Sequence, residues 1–120
     1  MPITGLDFLG VPSRDKERSR AFYRDVLGLR PDPNADWEQW AGETCFAVWE
    51  PEEIGRPFVA QTGNAFPLAC DDVAATRAEL EAKGVEFFGA TFDTGVCHMA
   101  MFADPDGNEL MLHHRHAPYA

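Results

Sequence analysis

Apolar positions fall at helical spacing in two separate stretches of the chain. In "RDKERSRAFYRDVLGLRP", residues 14–31, Phe22, Val26 and Leu27 recur three to four residues apart, with Ser19 and Tyr23 beside the stripe. Asp15 precedes the stripe and can accept a hydrogen bond from the first free helical amides. Gly28 suits a left-handed helix end, with Pro31 just beyond. "DDVAATRAELEAKGVEF", residues 71–87, repeats the plan, with Asp72 as the cap, Val73, Thr76 and Leu80 facing inward, and Gly84 as the stop. Each helix follows a short strand-like run, "ITGLDFLGV" or "NAFPLAC". More strand-like material comes after each: "WEQWAGETCFAVWE" in the first half, then "VEFFG" and "VCHMAMFADPDGNELMLHH" in the second.

The two capping aspartates lie 57 residues apart, close to half of a 120-residue chain. Self-similarity at a fixed period marks a repeated unit. The pattern predicts two copies of a strand–helix–strand–strand–strand module, about 1–57 and 58–120, in an α+β arrangement with mixed sheets. "PEEIGRPFVAQTG" reads as the linker. One domain of this length can bury a core without disulfides or metal.

Composition narrows the function. Twenty acidic residues against ten basic give a net charge of −10, which repels phosphate backbones and argues against nucleic acid. Cationic or neutral ligands are better tolerated. No apolar run approaches the roughly 20 residues of a membrane span. "MPITGLDFLG" lacks the basic and apolar segments of a signal peptide, so a cytoplasmic location is expected. Cys45, Cys70 and Cys97 are odd in number and form no CxxC pair, as expected of reduced thiols.

"FADPDGNELML", residues 102–112, joins two apolar runs through a tight turn. On the incoming strand Cys97, Met99 and Met101 share one face, and His98, Ala100 and Phe102 the other. On the outgoing strand Glu109, Met111 and His113 oppose Leu110 and Leu112.

Together with "LDFLGVPSRDKERSRAFYRDVLGL" and "DDVAATRAELEAKGVEF", this segment resembles the vicinal oxygen chelate superfamily of glyoxalase I, extradiol dioxygenases, fosfomycin-resistance enzymes and bleomycin-resistance proteins. The resemblance implies two βαβββ modules whose curved sheets enclose a ligand cavity, usually in a homodimer. Metal-dependent members carry His, Glu or Gln at four positions, which correspond here to Phe8, Ala47, Ala65 and Met111. Divalent metals need imidazole, carboxylate or thiolate donors. No metal and no other cofactor is therefore expected. Glu109 lies two residues before the Met111 position and is a poor substitute.

The remaining candidates follow from face parity. Cys97, Met99, Met101 and Met111 form a polarisable patch suited to core or to pocket lining. Trp49 matches the parity of Ala47. Of Trp37 and Trp40 only one can face inward, and Trp37 is the one assigned to the cavity. His113 shares the Met111 face and is the one candidate acid–base group. In "HHRH", residues 113–116, His114 and His116 invite a metal reading, but a frayed polar C-terminal end is expected instead, because the sequence shows no second ligand cluster. His98 is assigned to helix packing or a subunit contact.

The leading expectation is a metal-independent binding protein, resembling the bleomycin-resistance branch, that sequesters a small apolar, aromatic or cationic molecule. Phe8, Trp37, Ala47, Trp49, Ala65, Cys97, Met99, Met101, Met111 and His113 are its expected ligand-binding residues. The alternative is a lyase, isomerase or hydrolase of the same fold, with His113, Cys97 or Glu109 as base, or with metal ligands at other positions.

Overall fold

The computed structural model describes residues 2–118. Two compact units divide the chain, Met1–Ala60 and Gln61–Ala120. The division falls three residues beyond the expected module boundary at 57/58.

The first unit contains β1 (Leu9–Pro12), helix α1 (Lys16–Ala21), β2 (Arg30–Pro31), β3 (Glu38–Ala41) and β4 (Thr44–Trp49). The second contains β5 (Phe66–Ala69), helix α2 (Val73–Ala82), β6 (Phe87–Asp93), β7 (Cys97–Ala103) and β8 (Glu109–Arg115). Each unit forms a four-stranded mixed sheet, in the orders β1-β4-β3-β2 and β5-β8-β7-β6. The first strand of each pairs parallel with the last, and the other pairings are antiparallel. This is the α+β, twice-repeated βαβββ plan. The repeat is kept in detail: β1 starts at Leu9 and β5 at Phe66, the same 57-residue interval that separates the caps.

Both caps form as expected. Asp15 accepts from the Arg18 amide at 3.2 Å, and Asp72 from the Ala75 amide at 2.9 Å. In α2 Val73 and Leu80 are buried and Thr76 is half-buried, matching the sequence pattern. Gly84 ends the helix at φ 93°, a conformation that costs other residues backbone strain.

The first helix departs from expectation. After Ala21 it widens into a π-helical turn, Phe22–Val26, with the Leu27 amide bonded to the Phe22 carbonyl. Ser19 and Tyr23 are fully buried, whereas Phe22, Val26 and Leu27 are only half-buried. Ser19 hydrogen-bonds the equally buried Ser13 at 2.6 Å, and Tyr23 packs on Phe46 with ring centroids 5.9 Å apart.

Strand β1 is also shorter than "ITGLDFLGV" suggests. Residues 3–8 are exposed and outside any strand. Leu9 pairs with Phe46 and β4 begins at Thr44, so the partner strand runs out within two residues of Leu9.

The turn in "ADPDGNE" is held by Asp104. One carboxylate oxygen accepts the amides of Asp106 and Asn108, both at 2.9 Å, and the other accepts the Asn108 side-chain amide at 2.7 Å. Gly107 supplies φ 87°. Asn108 in turn accepts the Gln61 amide at 2.8 Å, tying the start of the second unit to this turn. These buried polar groups therefore serve architecture.

Candidate functional site

In each unit the helix covers one sheet face, and the candidate residues belong to the other. In the first unit Val11, Phe46 and Val48 are buried on the helix side. Register then decides the opposite face. Gly10 and Glu38 flank Ala47, Trp40 pairs with Cys45, and Pro12 pairs with Trp49. The hydrogen bond from the Val48 amide to the Trp37 carbonyl continues the ladder by one residue and puts Trp37 on Gln39's parity, the helix side. Trp37 lies in a turn and is largely exposed. The tryptophan on the helix-free face is Trp40, so the assignment of Trp37 is corrected.

Polar groups are fixed around these rings. The Trp40 indole N–H donates to Asp32 Oδ1 at 3.0 Å, and the Asn34 amide donates to Asp32 Oδ2 at 2.8 Å. Those two donors, Asn34 first, hold the Asp32 carboxyl below its ordinary value. The Trp49 indole reaches over Gly10: a Cβ at that glycine would lie 3.3 Å from Trp49 Nε1. Burial and the nearby Glu38 carboxylate push the Cys45 thiol up, which keeps it protonated and unreactive.

The second unit arranges its helix-free face in two rows across four strands. One row runs Pro67, Met111, Met101, Phe88, and the next runs Ala69, His113, Met99, Phe92. The opposite parity, Ala100, Phe102, Leu110 and Leu112, is buried on the α2 side. Met99, Met101, Met111 and His113 are half-buried, while Phe88 and Phe92 remain 53% and 45% exposed. Three thioethers and two phenyl rings with accessible surface on one sheet face, with His113 among them, form a surface suited to a flat or greasy ligand. Cys97 is buried, pairs with Arg115, and so is set diagonally rather than opposite to His113.

Phe88, Phe92 and Glu38 carry no signal in the sequence pattern that marks them as candidates, whereas Trp40 is the alternative to Trp37 that parity offers. The strand-like run "VEFFG" covers only the start of β6, which continues to Asp93 through an irregularity between Phe88 and Phe92. That break carries Phe92 onto Met99, and Gly89 at φ 70° is its sequence trace.

Within each unit the two family metal positions share the helix-free parity. Phe8 and Ala65 each sit one residue before the first strand of their unit, on the parity of Gly10 and Pro67, and Phe8 is 54% exposed. Ala47 and Met111 lie on the helix-free faces. Two alanines, a phenylalanine and a thioether do not fit a hard or borderline divalent ion. Glu109 does not replace them, because its carboxylate accepts the Gly63 amide at 2.8 Å.

A repeated βαβββ architecture with ligand-lining positions on the helix-free faces defines a class of small α+β proteins. The sequence profile of the Glyoxalase/Bleomycin resistance protein/Dioxygenase superfamily matches residues 5–112, and the chain belongs to that superfamily. Among solved structures, TnmS3, an antibiotic binding protein from Streptomyces sp. CB03234, is similar at 27% identity and TM-score 0.74, over 96% of this chain and 98% of that one. A superfamily member from Sphaerobacter thermophilus is 25% identical with TM-score 0.76, covering 94% of this chain and 98% of its own. A lactoylglutathione lyase from Agrobacterium tumefaciens shares the fold at 21% identity and TM-score 0.72, over 94% and 95% of the two chains. No curated protein matches the chain in sequence.

Proposed function

We propose that this protein binds a small, largely apolar or aromatic molecule, with cationic character, and sequesters it without metal-dependent chemistry. The observation that carries the reading is the composition of the helix-free faces. In the first unit the family metal positions hold Phe8 and Ala47, with Trp40 and Trp49 on the same face; in the second they hold Ala65 and Met111, with Met99, Met101, Phe88 and Phe92 on the same face. Aromatic and thioether surface gives affinity through buried area, and a ring beside an ionised carboxylate, as in Trp40 and Asp32, suits a positively charged guest. The chain's net charge of −10 favours encounter with such a guest. Similarity to an antibiotic binding protein over nearly the whole of both chains supports the same class of ligand. The working form in this reading is a cytoplasmic homodimer.

The test is a thermal-shift screen with cationic glycopeptides and aromatic antibiotics, read in parallel by tryptophan fluorescence. A ligand present at a hundred times its Kd stabilises the native state by about 2.7 kcal/mol. The shift should shrink in Trp49→Ala and Met101→Ala while the unliganded proteins stay folded. The catalytic alternative makes a different forecast: a bound compound is converted, and the product disappears in His113→Ala. Turnover of that kind, or variants that bind as well as the parent, would overturn the sequestration reading.

A further inference from the structure

Among the described residues one trio of His, Cys, Asp and Glu side chains gathers potential metal donors: Asp93, His98 and His116, whose donor atoms all lie within 4.8 Å of one another. They come from three segments, the end of β6, the start of β7 and the residue after β8. His116 Nε2 lies 2.8 Å from Asp93 Oδ1, and His98 Nε2 lies 3.3 Å from Asp93 Oδ2. The two imidazole rings stand 4.6 Å apart between centroids.

Each side chain is held by its surroundings. Asp93 pairs with His98 across the β6–β7 ladder, and Asp93 Oδ1 also accepts the Gly95 amide at 2.8 Å. His116 is fixed through its backbone, whose amide donates to the Val96 carbonyl at 2.9 Å. The next residue, Ala117, donates to the same carbonyl at 3.1 Å. Arg115 donates from Nε to the Ala117 carbonyl and from Nη2 to the Pro118 carbonyl, both at 3.0 Å, which orders the turn that carries His116.

We propose that Asp93, His98 and His116 form a surface site for a borderline divalent transition ion of the zinc type, clasping the end of β8 to the β6–β7 hairpin. Two imidazole nitrogens and one carboxylate oxygen are the donor set such ions prefer over the all-oxygen shells of magnesium and calcium. Neighbouring ligands around a tetrahedral zinc with bonds of 2.0–2.1 Å stand about 3.3 Å apart. His116 Nε2 and His98 Nε2 stand 2.8 and 3.3 Å from different oxygens of the Asp93 carboxylate, and the three donors lie within 4.8 Å, so small side-chain rotations bring them to that spacing. Each imidazole ligates through its Nε2 lone pair as the Nδ1–H tautomer, any further proton passing to solvent, and water completes the fourth position. This centre is separate from the family metal positions at Phe8, Ala47, Ala65 and Met111, none of which contributes a donor to it.

The experiment uses the full chain without a histidine tag, stripped with a chelator and titrated with cobalt(II), read by visible d–d absorption, and with zinc, read by calorimetry. One equivalent per chain should bind, and zinc should raise the melting temperature. His98→Ala and His116→Ala should each weaken binding by about tenfold or more and remove the thermal gain, while His114→Ala retains both. Asp93→Asn should behave as the histidine variants do; if it unfolds, through loss of the Gly95 contact, the two histidine variants still decide. A parent protein that takes up neither metal overturns the proposal, and so does uptake unchanged in the His98 and His116 variants.

Discussion

The ring and carboxylate of Trp40 and Asp32 show how much one residue's register decides. Sequence parity lets only one of Trp37 and Trp40 face inward, and nothing in the two residues between them, Glu38 and Gln39, distinguishes the two. Pairing of Trp40 with Cys45 settles it, and the Asp32 bond then fixes the ring. Because Asn34 and Trp40 stabilise the ionised form, the Asp32 carboxyl titrates below its ordinary 3.8. A depressed carboxyl contributes stability that is complete above the unfolded value and is lost as pH falls through the folded one. Asp32→Asn should therefore lower the urea midpoint at pH 7, and the gap from the parent should close as the pH drops below 3.8. Urea melts on both sides of that value check this; a gap that stays constant with pH would contradict it.

At the scale of elements, the helices divide into one that the sequence describes and one that it does not. In α2 cap, stripe and terminal glycine all agree with the structure. After α1 the chain forms a π turn and the buried pair is Ser19 and Tyr23, and a pattern read at 3.6 residues per turn has no means of showing a five-residue hydrogen bond. The 104–108 turn was legible as a turn but not as a buried hub, because the reach of the Asp104 carboxylate to Asn108 depends on the folded hairpin. Asp104→Ala should leave the Asp106 and Asn108 donors without this acceptor and destabilise the protein by about 3 kcal/mol, measurable as a lower denaturation midpoint. An effect below about 0.5 kcal/mol, the range of ordinary surface substitutions, would mean that water takes over these bonds.

For the whole molecule the governing fact is the repeat. Caps and first strands recur at the same interval, and the two sheets share one topology. Each unit exposes apolar surface away from its helix: Phe8 and Trp49 in the first, Phe88 and Phe92 in the second. No helix among the described residues is long and apolar enough to cross a membrane. In the homodimer reading some of that surface is covered by a second copy, so sedimentation equilibrium should return twice the 13.3 kDa chain mass. A species at the single-chain mass across micromolar concentrations would count against that assembly.

Local chemistry explains what could be read from the chain alone. Caps, helix-ending glycines, the turn at 104–108 and the alternation of β7 and β8 depend on residues near one another in sequence, so their pattern named the superfamily and emptied its metal positions of donors. Which tryptophan faces inward, how β6 passes its irregularity to deliver Phe92 beside Met99, and how Asp93, His98 and His116 meet are all matters of strand register. Register is a long-range property. A slip of one residue exchanges the two faces of a strand, and only the packed sheet, with Phe46, Val48, Phe102 and Leu110 buried against the helices, excludes the slipped alternatives.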